Sequence, residues 1–264
     1  MMMAVMLTAV VCASAQSDPD PVDAYFTTGE MPDMIKWCPA PPDTIGAAFA
    51  YDILQYMWGK QMRNDKERAD IAIRDAVYGL DCIIREFSEP FGLQISKEET
   101  PEIYKVLREG TATCDSICRL PKKYYMRKRP FMRFKEPTLT PDDEPALSRN
   151  GSYPSGHTLL GWSSALLLSE INPDRADTIL ARGLMYGDSR VIVGAHWQSD
   201  VNAARLAAAA AYAKLHTSER FLEQMRLARQ EFRCKMGLAT IVEMKAYKKA
   251  AEKRAKAAKK VAIR

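Results

Sequence analysis

An all-α, single-domain helical bundle is the fold this sequence predicts, and three observations carry that expectation. From residue 43 onward apolar residues recur at the three-and-four spacing of amphipathic helices. No stretch alternates apolar and polar residues for long enough to make a convincing strand. Of 264 residues, 47% are apolar and 27% charged, a composition that can bury one sizeable core and argues against disorder. A multi-span membrane protein is excluded as well. Beyond the first fifteen residues no segment approaches the roughly 20 apolar residues a spanning helix needs, and the alanine cluster Leu206 to Ala213 is closed by Lys214.

The elements follow in order. Residues 16–42 are rich in Pro and Asp and read as an extended arm over the body. Asp43 is placed to cap a helix over 44–62, where Ala47, Phe49, Ile53, Tyr56 and Met57 share a side. A second helix is expected over 65–87, ended by Pro90 and Gly92. Thr100-Pro101-Glu102 starts a third that runs to about Arg119, with Pro in the first turn. Phe131 to Asn150 holds Pro137, Pro141, Pro145 and the acids Asp142 to Glu144, with no periodicity. It reads as a long functional loop. Helices are expected again over 157–170, 173–193 (Asn172 as cap), 196–215 and 218–234. Residues 43–234 thus make one catalytic-sized body with no internal repeat.

The formal net charge is +5, but residues 235–264 hold ten Lys/Arg against two Glu, so this tail carries +8 and the rest −3. A near-neutral body gives no support to a nucleic-acid-binding core. The Lys/Ala-rich tail is strongly helix-forming, and its polar residues are spread nearly all round. It reads as a solvated helix, with attachment to anionic groups of the cell envelope as the functional alternative.

Residues 1–15 form a short apolar run ending in Ala13-Ser14-Ala15, the small residues signal peptidase accepts, although the run has no Lys or Arg before it. Cleavage after Ala15 and a periplasmic location are expected. Cys38, Cys82, Cys114, Cys118 and Cys234 would remain, an odd number, so one or two bridges and a free thiol are expected. His216 lies outside every motif and reads as an exposed helix residue.

Three segments carry chemistry. His196 and Asp200 are four apart, so a helix would put them on one face; the carboxylate would take the Nδ1 proton and leave Nε2 as a base or nucleophile. Pro154-Ser155-Gly156-His157 opens a helix whose first N–H groups make an anion site beside a second histidine. Lys122, Arg129 and Arg190 add three cations suited to phosphate oxygens. Singly, each feature is commonplace on a protein surface. Together, within the 79 residues from Lys122 to Asp200, they describe a phosphoryl-transfer site. No carboxylate or His/Cys grouping in the sequence supplies Mg²⁺ or Zn²⁺ ligands, so no metal and no cofactor are expected.

The spacing Lys122-x6-Arg129-Pro130, then Pro154-Ser155-Gly156-His157, then Ser189-Arg190-x5-His196-x3-Asp200 resembles the signature of the type 2 phosphatidic acid phosphatase superfamily. That group also includes vanadium haloperoxidases. The flanks, Tyr125 to Phe131, Gly151 to Thr158 and His196 to Asp200, look like the class A bacterial non-specific acid phosphatases, and the likeness runs from about Tyr25 to Phe232. The uncharged leader and the basic tail depart from the pattern.

The resemblance implies His196 as the nucleophile forming a phosphohistidine, Asp200 as its orienting acid and His157 as general acid and then base. Lys122, Ser155, Gly156, Arg129 and Arg190 would hold the phosphoryl oxygens. It implies a metal-independent acid phosphatase acting on small phosphorylated metabolites, inhibited by vanadate or phosphate. It also implies a phosphotransferase side activity and a homo-oligomer. Other readings are a phosphoanhydride hydrolase at the same site, a vanadium haloperoxidase, and a non-catalytic phosphate-binding envelope protein. No transmembrane anchor and no nucleic-acid partner are expected.

Overall fold

The computed structural model describes residues 22–262; the expected leader (1–15) and the first residues of the arm lie outside that range. The described residues contain helices and no strand. The arm holds a single turn of helix, α1 (Met34–Trp37), capped by Asp33 accepting from the Ile35 N–H at 3.1 Å. Helix α2 (Ala47–Met62) starts three residues later than expected, because Asp43 Oδ1 takes only the N–H of Thr44 and Gly46 is the N-cap.

The expected second helix is two. Helix α3 (Lys66–Arg74) and helix α4 (Leu80–Phe91) are separated by residues 75–79. The break has a visible cause. Asp75 turns inward, is wholly buried, and accepts from Arg182 Nη2 at 2.5 Å and Ser189 Oγ at 2.7 Å, while Gly79 sits at φ 139°, which an L side chain rarely adopts. Pro90 lies inside the last turn of α4, and Gly92 at φ 83° ends it.

Helix α5 (Pro101–Asp115) stops short of Arg119 and passes through a tighter turn into α6 (Arg119–Tyr125). The expected loop over 131–150 contains α7 (Pro130–Phe134) and α8 (Glu144–Leu147). Then come α9 (Gly156–Ile171), α10 (Ala176–Val193), α11 (Gln198–Leu215), α12 (Glu219–Lys235) and α13 (Ile241–Ala262).

Helix α9 is apolar on nearly every side, and that places it at the centre. It packs on α10, α11 and α5, while α2, α3 and α4 cover α10 and α12 covers α5. Leu159, Leu167, Leu168 and Ile171 meet Ile179, Tyr186 and the alanine face of α11 (Ala204, Ala207, Ala208, Ala211) in one core. Fully burying each such leucine is worth roughly 1.5–3 kcal/mol. The α9–α10 approach is close: a Cβ on Gly161 would lie 2.4 Å from the Tyr186 ring. Because α9 leaves and α10 returns, the start of α9, the end of α10 and the start of α11 share one end of the bundle. That end holds the motifs.

The five described cysteines are all free thiols, which corrects the expected bridging. Three of them have local partners instead: Cys38 lies 3.4 Å from the Tyr153 hydroxyl, Cys82 donates to Arg74 O, and Cys118 donates to Asp115 O. His216 ends α11 half-buried, with Nε2 3.1 Å from Glu170 Oε2 and Nδ1 2.9 Å from Tyr212 O, rather than standing exposed.

Candidate active site

Helix α10 ends at Gly194, whose φ of 87° lets the chain reverse at once, and Ala195 N–H and His196 N–H both return to Arg190 O. His196 therefore stands in the turn before α11 and not on the helix, which corrects the expected helix start. The turn is held by Trp197, buried against Phe49, Tyr56 and Phe134, with its indole N–H donating to Lys128 O at 2.8 Å. Asp200, in the first turn of α11, reaches back and accepts the Trp197 N–H at 2.9 Å, a position where the helix dipole also favours negative charge.

Around the His196 ring the partners assign the protons. Arg129 Nη1 donates to Nε2 at 2.9 Å, so in the neutral ring Nδ1 carries the hydrogen. Nδ1 lies 3.4 Å from Asp200 Oδ2, the long end of a hydrogen bond, and 3.3 Å from Ser152 Oγ, which itself donates to Asp200 Oδ2 at 2.5 Å. Ser152 thus stands between ring and carboxylate.

The other Asp200 oxygen accepts from Arg127 Nη1 at 2.6 Å; Arg127 Nη2 donates to Asp52 Oδ2 at 2.8 Å, and Asp52 Oδ1 accepts the Ser199 N–H at 2.8 Å. Asp52 and Asp200 are both wholly buried. Sequence reasoning missed Ser152, Arg127 and Asp52. The first two lie inside quoted motifs, whereas Asp52 on α2 carries no local signal.

Ser155 is the N-cap of α9 and accepts from Thr158 N–H and Thr158 Oγ1. Its own N–H goes to Asp200 O at 3.1 Å, tying the start of α9 to α11. Helix geometry leaves the N–H groups of Gly156 and His157 without intrahelical acceptors. His157 Nε2 donates to Ala76 O at 2.9 Å, and Tyr78 packs edge-on against the ring at 4.9 Å. The break between α3 and α4 is therefore what seats the second histidine.

Both histidine rings line one cavity of about 330 Å³ with Lys122, Arg129 and Gly156; Tyr78, Asp115 and Arg119 also line it. Arg129 is anchored by Leu147 O, Asn150 O and Ala195 O, and Lys122 Nζ donates to Gly151 O at 3.0 Å.

Arg190 is different. It is 0% exposed, and Nε, Nη1 and Nη2 have no hydrogen-bond partner among the described residues. Burial lowers its pKa, as it does that of Arg129, to about 10, and of Lys122, to about 8, where Arg129 adds repulsion. Burial first, and then these cations, hold both His157 and His196 well below the usual imidazole range. Lys122, Arg129 and Arg119 line the cavity while Arg190, outside its lining, adds to the positive potential at both histidines, and together they are the electrostatic complement of a phosphate-like anion. Among the described residues no three His, Cys, Asp or Glu side chains converge so as to hold a metal ion.

A helical bundle whose central helix opens on an anion cradle with two histidines is the arrangement this fold and site define. Residues 107–220 match the family model for the PAP2 superfamily, and the chain belongs to that superfamily. It is 43% identical over 209 residues to the non-specific acid phosphatase of Providencia stuartii, covering 79% of this chain and 84% of that one. The non-specific acid phosphatase of Salmonella typhimurium is 40% identical over 210 residues (76% and 81%). The acid phosphatase of Zymomonas mobilis is 37% identical over 194 residues (73% of each).

Proposed function

We propose that the protein is an acid phosphatase that hydrolyses small phosphomonoesters through a phosphohistidine on His196, with no metal ion. The observation that carries this reading is the pair of histidines in one cation-rich cavity, one of them with its Nε2 held as the acceptor nitrogen. The phosphoryl group would displace the Arg129 contact at Nε2, and the freed guanidinium would bind its oxygens together with Arg190, Lys122 and the N–H groups of Gly156 and His157.

Ser152 and Asp200 would stabilise the imidazole through Nδ1–H as Nε2 attacks phosphorus. His157, anchored through Nε2–H, would give a proton from Nδ1 to the leaving alkoxide, then take one from the water that cleaves the phosphohistidine. The depressed pKa of His157 suits this sequence, because a phosphoryl dianion among the cations would offset the positive field that adds to burial in keeping the ring unprotonated. Lys122, with a pKa near 8, is fully charged under mildly acidic conditions, where turnover is expected to peak. The leaving group would lie toward Tyr78, Asp115 and Arg119.

Export with cleavage after Ala15, and action in the periplasm, go with this reading. Turnover of p-nitrophenyl phosphate should persist in EDTA, vanish in His196→Ala and be inhibited by vanadate. Loss of turnover on chelation, or activity retained in His196→Ala, would overturn it. Comparing monoester, pyrophosphate and ATP rates decides between the monoester and anhydride preferences.

A further inference from the structure

We propose that helix α13 is a docking face for the surface of a bilayer bearing anionic lipid headgroups, holding the enzyme on a membrane without spanning it. The structure corrects the picture of a helix polar on all sides. One side of α13 lies on α12: Tyr247 donates to Glu231 Oε1 at 2.6 Å, Gln230 Nε2 reaches Glu243 O at 3.4 Å, and Met244, Tyr247, Ala250 and Ala251 are half-buried. The opposite side carries Lys245, Lys248, Lys249, Lys253 and Lys256, all exposed, with Glu252 the lone acid among them. Their three-and-four spacing makes one basic stripe on a helix about 33 Å long.

The start of the same exposed face is apolar. Ile241 is 67% and Val242 76% exposed, and Leu238 and Met236 just before them are also exposed. Against a nucleic-acid backbone these side chains would bury nothing. At a bilayer surface they enter the interfacial zone while the lysines meet headgroup phosphates, a polybasic contact with an apolar anchor at one end. No described helix is long and apolar enough to cross a membrane, so the contact would be peripheral, with the catalytic cavity on a separate part of the bundle.

The test is co-sedimentation of the full chain with phosphatidylcholine vesicles and with vesicles containing phosphatidylglycerol, at low salt and at about 1 M salt, where screening reaches about 3 Å. Binding to the phosphatidylglycerol vesicles alone, abolished by salt, is expected. The triple variant K245E/K249E/K253E should weaken it by about a hundredfold or more. I241S/V242S should weaken it by about tenfold or more. Both variants should keep wild-type phosphatase activity, which shows the body is folded. Four results would overturn the proposal: no binding at low salt, equal binding to neutral vesicles, unchanged vesicle binding by I241S/V242S, or tighter binding to a DNA duplex than to the vesicles. None of them bears on the chemistry at His196.

Discussion

Two buried arginines on one helix should respond in opposite directions to the same substitution. Arg182 is paired, its Nη2 donating to Asp75 Oδ1 at 2.5 Å and Glu86 Oε2 at 3.0 Å. Removing it leaves the buried Asp75 with Ser189 Oγ alone, while Glu86 keeps Arg85 and Arg74, and Arg182→Met should cost about 3–5 kcal/mol. Arg190, two turns further on, has no acceptor among the described residues for any of its three nitrogens. An unmet buried polar group costs about 1–3 kcal/mol, so Arg190→Met should stabilise the free protein by about that amount. For a domain of this size the gain raises Tm by about 2–12 °C. In the proposed mechanism the same change removes a donor to the phosphoryl oxygens, so kcat/KM should fall about 10²–10³-fold. The stabilisation of wild type by added phosphate should shrink with it. Thermal unfolding of both variants with and without phosphate, plus p-nitrophenyl phosphate kinetics, reads all of this. The reasoning fails if Arg190→Met is as destabilising as Arg182→Met, or if it turns over substrate like wild type.

Asp200→Asn keeps the shape but loses the charge that would steady the imidazolium in the proposed mechanism, and kcat should drop by about 10³–10⁴-fold with KM little changed; a fall below tenfold would make the carboxylate a bystander. The folded-state pKa values of His157 and His196 lie below that of the unfolded chain, so below about pH 6.5 the unfolded state binds protons the folded state refuses. Stability should therefore fall as pH drops through that window, less steeply in His157→Asn and less steeply with phosphate bound; identical slopes in all three denaturation series would contradict this. On the alkaline side, kcat/KM should decline as Lys122 loses its proton near pH 8, and a Lys122→Arg enzyme should hold its rate to higher pH. Gly161→Ala drives a methyl into the Tyr186 ring and should cost about 1–3 kcal/mol in denaturant unfolding with unchanged kinetic constants per folded molecule.

The helical class and the motif residues were legible because both are local: a 3.6-residue period, and short strings whose side chains end up at one end of the bundle. What escaped was non-local. The 65–87 segment has unbroken helical periodicity, and only Arg182 and Ser189, more than a hundred residues away, show why Asp75 turns inward and the helix stops. That stop in turn supplies Ala76 O to His157. Asp52 reaches Arg127 and Ser199 across the fold, so nothing near it in the chain marks it. His196 was placed on a helix by its spacing to Asp200. The positive φ of Gly194 instead leaves it in the turn, where its Nδ1 faces Asp200 Oδ2 at 3.4 Å and Ser152 Oγ at 3.3 Å. The cysteines show the same limit: their number invited pairing, while their positions in the packed bundle leave all five as thiols.

The most direct measurement is rapid acid-free quenching of the enzyme during turnover of a ³²P-labelled monoester, followed by mapping of the acid-labile, alkali-stable label. One phosphoryl group on His196, absent in His196→Ala and longer-lived in His157→Ala, is the expected result. Label on any other side chain, or turnover with no covalent phosphoenzyme in any variant, would contradict attack by His196.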